Sequence, residues 1–329
     1  MFENTDFSFF DGKSILITGG TGTFGKAFTK LLLENSKARR LIIFSRDELK
    51  QSQLIEDYKE YNDRVRFFLG DVRDKDRLLR AFKSVDIIAH AAALKHVPIL
   101  EYNPFEAVKT NVIGTQNIID AAIDCGVERV LFISTDKAVS PINLYGGTKL
   151  VAEKLVIAAN SYGAGKTLFS VLRYGNVLGS RGSLLDNLKK QIETGTVKLT
   201  DERMTRFWIR IEDAVKFAAH SLVNMQGGET FIPRLPSMSI KTLLETLSEG
   251  CKIEVVGIRP GEKLHETLIT EEESVRGEEF NEIFIIHPDV SENSRRPRGQ
   301  GKALPEAFRY SSDTNADWLS ETELKDLLV

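Results

Sequence analysis

The sequence predicts an α/β protein built on a doubly wound parallel sheet, and three observations carry that prediction. Short apolar runs alternate with helical periodicity through the first half of the chain. The first run leads straight into a glycine-rich turn and a helix. The central run ends in a cluster of reactive side chains, as expected where a buried strand delivers its carboxyl end to a cleft.

Residues 14–18 (Ser-Ile-Leu-Ile-Thr) form the first expected strand, followed by Gly19-Gly20-Thr21-Gly22-Thr23-Phe24-Gly25 and a helical pattern through Ala27, Phe28, Leu31 and Leu32. Glycines at 19, 22 and 25 let the backbone turn, approach a pyrophosphate and pack helix on strand, with the phosphate at the helix N-terminus. A glycine pattern alone is weak evidence. Strand, glycines and helix in this order point to a Rossmann-type dinucleotide turn rather than a mere bend.

The second run, 41–44, ends in Ser45-Arg46-Asp47. A carboxylate at that tip suits the ribose 2′-OH of NAD, whereas a hydroxyl and a guanidinium suit the 2′-phosphate of NADP, so NADP is expected. Asp47 leaves two readings open, a ribose ligand or the N-cap of the next helix. The third run, 65–69, leads to Gly70-Asp71-Val72, where an adenine should rest, although Asp71 also suits a loop cap. The fourth, 85–90, runs into Ala91-Ala92-Ala93, whose small side chains let a cofactor lie against the backbone. His90 and His96 invite a reading as bases, but a histidine flanked by apolar runs is more often a packed core residue. Lys95 follows the cofactor-facing loop, within reach of a phosphate or carbonyl. A helix is expected over 106–122, with Asn111 inside it as a candidate for a structural hydrogen bond or a buried water near Tyr145 and Lys149.

The fifth run, 130–133, delivers Ser134-Thr135-Asp136-Lys137. Tyr145 and Lys149 are four apart in a segment that continues as an apolar-periodic helix through Val151, Leu155 and Ala158, so they share one face. An ammonium beside a phenol favours phenolate, which makes Tyr145 a usable base near neutral pH. Tyr-x-x-x-Lys also arises by chance, and its partners upstream are what raise it above chance. A sixth run, 169–173, leads to Tyr174-Gly175-Asn176-Val177.

Residues 1–177 are expected to form the NADP-binding domain and 178–329 a smaller C-terminal α/β substrate lobe, with a return of strands to the main sheet left open. Ser180-Arg181-Gly182-Ser183 reads as a polar loop and 184–193 as a helix. Met204-Thr205-Arg206-Phe207-Trp208 and Ile258-Arg259-Pro260-Gly261-Glu262-Lys263 place arginines and aromatics where they suit a nucleotide diphosphate and its base. The alternative is that Phe207 and Trp208 are ordinary core. The stretch 294–302, rich in Arg, Pro and Gly, reads as an exposed loop before a short terminal helix.

Over 329 residues, Lys+Arg 44 against Asp+Glu 47 leaves a net charge of −3, which gives no global field for nucleic acid or an anionic membrane. Any anionic ligand must be gripped locally. Cys125 and Cys251 have neither metal-ligand nor disulfide spacing, so no metal site and a reducing compartment are expected. No signal-like start and no long apolar run is present, and a soluble cytoplasmic protein is expected.

The stretch from Thr18 to Gly25, Tyr145 with Lys149, and Arg173-Tyr-Gly-Asn-Val177 resemble the extended short-chain dehydrogenases/reductases that act on nucleotide sugars. Within that group Ser45-Arg-Asp-Glu-Leu-Lys50, His90-Ala-Ala-Ala-Leu-Lys-His-Val-Pro98, Thr135-Asp-Lys-Ala138, the 204–208 motif and Arg259-Pro-Gly-Glu-Lys-Leu-His265 resemble the C5-inverting UDP-N-acetylglucosamine 4,6-dehydratases of the pseudaminic acid type. The resemblance spans nearly the whole chain. The related dTDP-glucose dehydratases carry Asp-Glu where this chain has Asp136-Lys137, which makes the lysine the informative residue.

The resemblance implies a tightly held NADP, with Gly19, Thr21, Gly22, Thr23, Phe24, Gly25, Ser45, Arg46, Asp47, Glu48, Lys50, Asp71, Val72, Ala91, Ala93, Lys95, Thr110, Tyr145 and Lys149 around it. It implies UDP-N-acetylglucosamine held by Lys95, Asn176, Ser183, Thr200, Arg206, Arg259 and Glu262, and a homo-oligomer. Tyr145 would take the C4 hydroxyl proton as hydride leaves C4. Lys137, its pKa depressed by Lys149 and by the nicotinamide ring, would take the C5 proton, and Asp136, its own pKa raised, would protonate the departing C6 hydroxyl. A 4-epimerase or ketoreductase of the same fold would need Tyr145 and Lys149 but no Asp-Lys pair. A non-catalytic NADP-binding protein would need none of them.

Overall fold

The structure is a computed structural model that describes residues 2–163, 165–179, 184–288 and 301–328. The loop expected at 180–183, with Ser183, and most of the stretch at 294–302 lie outside the described residues. Strands β1 (Ser14–Thr18), β2 (Arg40–Ser45), β3 (Val65–Leu69), β4 (Ile87–His90), β5 (Arg129–Ile133) and β6 (Leu168–Leu172) pair in parallel in the order β3-β2-β1-β4-β5-β6. Strand β1 is buried at every position and β5 at all but Arg129, because helices cover both faces. That is why these strands read as unbroken apolar runs rather than alternating ones. The build direction reverses between β1 and β4, and beyond the carboxyl ends of strands at such a reversal is where open α/β sheets bind their ligands.

The sheet continues beyond β6. Thr230–Pro233 pairs parallel to β6, Ile283–Ile286 pairs antiparallel to that strand, and Gly277–Glu279 and Lys302–Ala303 follow. Chain from beyond residue 177 therefore adds four strands to the main sheet. On one face the helix Thr23–Asn35 packs with the helix Ile211–Asn224 through fully buried Phe28, Leu32, Phe217 and Leu222. On the other face Lys75–Ala81, Gly114–Cys125 and Leu144–Tyr162 bury Leu78, Ile118, Ile119, Ala152 and Val156. Each large apolar side chain removed from water contributes about 1.5–3 kcal/mol before the entropy cost of ordering it.

The helix expected over 106–122 is not continuous. A short turn, Pro104–Ala107, passes through a π-helical segment, Val108–Ile113, before Gly114–Cys125 resumes α-helical winding and ends on left-handed Gly126, φ +70°. Outside the main sheet, Ser237–Ser239, Thr205–Ile209 and Asn176–Val177 form a three-stranded sheet, and Lys252–Val255 pairs parallel with Thr196–Leu199. A separate core of Leu188, Val197, Trp208, Met238 and Leu243 supports this lobe. Phe207 and Trp208 are 0 % and 2 % exposed, which makes them core residues with no free face for a base.

Candidate active site

The turn after β1 is shaped by close approach. A Cβ on Gly19, whose φ is +66°, would lie 2.9 Å from the Ala92 backbone nitrogen, and one on Gly25 would lie 2.4 Å from Gly20 Cα. Gly22 is the N-cap of the 13-residue helix and lays no side chain over its N-terminus. Thr110 Oγ1, in the π-helical segment, and Ser134 Oγ, just past β5, are buried without a hydrogen-bond partner. An open helix N-terminus and orphaned hydroxyls fit a dinucleotide lying across the strand tips.

At the tip of β2, Ser45 is buried and its hydroxyl accepts a hydrogen bond from Gln51 Nε2 at 3.2 Å. Asp47 is the helix N-cap, accepting from the Lys50 backbone N–H at 3.0 Å and pairing with the Lys50 ammonium, while Glu48 occupies the exposed first turn. Arg46 is exposed, with Nη1 3.6 Å from Asp71 Oδ2. Asp71 also takes two hydrogen bonds from the Arg73 guanidinium, which reaches on to Glu106 at 3.0 Å. Burial opposes the charge on Asp71, yet the Arg73 hydrogen bonds hold its carboxyl below the usual range. Arg73 and Gln51 stand outside every motif singled out in the sequence.

Strand β5 leads into the 3-10 turn Asp136–Ala138, and the helix Leu144–Tyr162 starts beside it at N-cap Asn143. A Cβ on Gly146 would lie 2.1 Å from the Lys137 carbonyl oxygen, so glycine at this position lets the helix close on the turn. Asp136 is fully buried, and its Oδ1 accepts from Thr135 Oγ1 at 2.8 Å and from Lys137 Nζ at 2.9 Å. Asn176 Oδ1 lies 3.3 Å from the same Nζ. Asn111 clamps the Leu94 backbone N–H and carbonyl and donates to Thr148 Oγ1 at 3.0 Å, which ties the Ala91–Lys95 loop to the helix Leu144–Tyr162. His90 is buried between Thr18 and Thr115 hydroxyls, and burial brings its pKa down to about 3. It is a neutral core residue.

Two electrostatic expectations are corrected. Lys149 does not face the phenol: its ammonium donates to the Ile133 carbonyl at 2.7 Å and rests 3.8 Å from the centroid of the Phe132 ring. Burial brings it down to about 7, against Glu153. The cation acting on Tyr145 is Lys137, and burial outweighs it, pushing the phenol up to about 12 rather than down. Lys137 is not depressed either. Burial lowers it, but Asp136 and Glu266 carry it above its ordinary value. The lysine in this structure is an ammonium in an ion pair, because two buried carboxylates reach it and Lys149 points elsewhere.

Arg206 is buried and spends its guanidinium on the carbonyls of Thr205, Lys263 and Leu264 at 2.7, 2.9 and 3.0 Å, so it shapes the loop that carries Glu266. Lys263 Nζ donates to the Val139 carbonyl at 2.6 Å, and the Gly261 carbonyl accepts from Asn143 Nδ2 at 2.8 Å. This loop therefore folds over the start of the helix Leu144–Tyr162. Arg259 on it is exposed, 3.9 Å from Glu262. Lys95 is exposed on the loop after β4, and Thr200 is half-buried beside the strand Thr196–Leu199. Arg173, with its side chain 4 % exposed, joins Glu153 and Glu273 and so ties the helix Leu144–Tyr162 to the short helix Glu271–Ser274. Glu266 belongs to no motif legible in the sequence, although it directly follows the one ending at His265.

A Rossmann-type sheet with a tyrosine and a lysine on one helix beside the tip of β5 defines the short-chain dehydrogenase/reductase class. The chain belongs to the family described as "Polysaccharide biosynthesis protein", which matches residues 15–288. It is 50 % identical to a "UDP-N-acetylglucosamine 4,6-dehydratase (inverting)" of Campylobacter jejuni, over 97 % of this chain and 98 % of that one. It is 36 % identical, over 97 % and 96 %, to a "UDP-glucose 4-epimerase" of Rickettsia conorii. Among solved structures, Pen from Bacillus thuringiensis superposes with a TM-score of 0.89 at 40 % identity, covering 97 % of this chain and 98 % of that one. Among the described residues, no helix is long and apolar enough to cross a membrane.

Proposed function

We propose that this chain is a UDP-N-acetylglucosamine 4,6-dehydratase that inverts C5, giving UDP-2-acetamido-2,6-dideoxy-β-L-arabino-hex-4-ulose with NADP as a retained cofactor. The proposal extends to the first step of pseudaminic acid or a related surface sugar, carried out in the cytoplasm by a homo-oligomer. The observation that supports it most is the ion pair of fully buried Asp136 with half-buried Lys137 beside Tyr145, in a chain half identical to a protein named for that reaction. An exposed Arg46 beside Asp71 at the tip of β2 supports NADP over NAD, because a 2′-phosphate can compete for the guanidinium.

When bound, the nicotinamide supplies a hydride acceptor for C4 and a donor for C6, and its cationic ring favours the phenolate form of Tyr145. Tyr145 takes the C4 hydroxyl proton. The resulting ketone acidifies C5–H, and Lys137 removes that proton after passing its own to Asp136 across their 2.9 Å contact. Asp136 then protonates the departing C6 hydroxyl. Arg259 and Glu262, on the loop over the catalytic helix, are proposed to hold the diphosphate and sugar.

The test is incubation with UDP-N-acetylglucosamine and NADP, followed by mass spectrometry and NMR. Loss of one water with inverted C5 and no accumulated NADPH is the expected result. The epimerase-named relative supports a second reading, 4-epimerisation, which the same experiment separates because an epimer keeps its mass.

A further inference from the structure

Charged side chains from three distant stretches of chain meet at the carboxyl end of β5. Lys137 Nζ lies 2.9 Å from Asp136 Oδ1 and 3.8 Å from Glu266 Oε1. Arg206 Nε is 3.8 Å from the same Glu266 oxygen, and Lys263 Nζ is 3.8 Å from Oε2. The Glu266 side chain is 4 % exposed, and its Oε2, like Asp136 Oδ2, is buried without a hydrogen-bond partner. Its backbone is pinned on both sides. The N–H donates to Ser312 Oγ at 3.0 Å, and the carbonyl accepts from the Ser312 N–H at 2.8 Å and Ser311 Oγ at 3.2 Å. A second carboxylate buried next to Asp136 is costly, and an ordinary structural ion pair would have its oxygens satisfied.

We propose that Glu266 is a positioning residue for Lys137: it shares the amine with Asp136, and its negative charge sets the basicity with which Lys137 takes the C5 proton. This rests on the dehydratase reading above. In the elimination, the free amine of Lys137 accepts the C5 proton and becomes ammonium, while the C5–H electron pair forms the C5=C6 bond. The C6–O pair leaves with the hydroxyl, which takes the Asp136 proton and departs as water. Lys137 thus gains positive charge as Asp136 gains negative charge. A carboxylate fixed on the amine stabilises that developing ammonium.

Other charges also face the amine. Arg206 opposes its protonation, and Tyr145, Lys95 and Lys263 stand around the same cluster. Burial pushes Glu266 above the usual carboxylate range, with Asp136 adding to the push while Lys137, Arg206 and Lys263 pull it back. Lys137 is raised in spite of its burial because Asp136 and Glu266 act on it together.

The experiment compares the pH dependence of kcat/KM for water loss in wild type, Glu266→Gln and Glu266→Asp, with deuterium wash-in at C5 as a second readout. Removing a charge within about 4–6 Å lowers the pKa of an amine by about 1–3 pH units, so the acid limb of the Glu266→Gln profile moves to lower pH by that amount. Its plateau falls at least about tenfold, because a less basic amine is a slower base. Glu266→Asp, which draws the charge back by one methylene, falls between the two, and it carries the test if the glutamine variant does not fold. An acid limb that stays in place in the variants that fold, whatever their rate, overturns the proposal. If wild type removes no water from UDP-N-acetylglucosamine, the dehydratase reading fails. If wild type does so and the limb is unmoved, the Glu266 inference fails alone.

Discussion

Lys137→Ala separates the two halves of the proposed chemistry. The side chain is 28 % exposed and pairs with Asp136, which is fully buried, and with Glu266, 4 % exposed. Without it, Asp136 keeps Thr135 Oγ1 as partner at 2.8 Å, and Glu266 keeps Arg206 and Lys263 at 3.8 Å. Removing one member of a fully buried pair costs about 3–5 kcal/mol. Partial solvent screening of Lys137 and the surviving partners reduce that to about 1–3 kcal/mol. The variant therefore stays folded, with a lowered melting temperature. Its rate of water loss falls by more than stability explains, about 10²–10⁴-fold, as for loss of a positioned general base. Tyr145 and Lys149 are left in place, so the first oxidation survives. In deuterated water, wild type incorporates deuterium at C5 of the product. In Lys137→Ala both wash-in and water loss fall by that factor, with a trace of reduced-cofactor absorbance from a stalled 4-ketone. Water loss at the wild-type rate would refute the assignment and make Lys137 a structural lysine.

Arg46→Ala is expected to weaken NADP by about 1.5–3 kcal/mol, the worth of a charge-assisted bond, and to leave NAD nearly unchanged; equal weakening of both in a titration would place the 2′-phosphate elsewhere. Gly146→Ala puts a methyl where 2.1 Å separates it from the Lys137 carbonyl, so the helix start must shift. Activity should drop far more than melting temperature, and a fully active variant would show that the contact is not needed. His90 carries a pKa of about 3 in the fold against 6.5 outside it, so in that window the unfolded chain binds a proton that the folded chain does not. Stability is therefore lost as pH falls from about 6.5 toward 3, by about 4–5 kcal/mol in the limit. Denaturant unfolding of His90→Gln should show a shallower loss between neutral and mildly acidic pH, and parallel slopes would remove His90 as the cause.

The parallel half of the sheet is legible in the sequence, because strands buried on both faces must be apolar at most positions, as β1, β2, β4, β5 and β6 are, while the edge strand β3 keeps Arg66 exposed. The glycine turn at Gly19 to Gly25 and the placing of Tyr145 and Lys149 on one helix are legible too, since backbone sterics and helical spacing are local properties, but the partner of the Lys149 ammonium, the Ile133 carbonyl, is not. The tertiary structure alone decided that Thr230–Pro233 and three later strands extend the same sheet, because short strands carry no mark of their partner. It alone decided where the second lobe's arginine goes, into the carbonyls of the 263–264 turn. The protonation of the site belongs to it as well. Lys137 and Glu266 are 129 positions apart in the chain and 3.8 Å apart in space. Desolvation and Coulomb energy act through space, so neither the raised lysine nor the raised phenol can be read from the residues beside them.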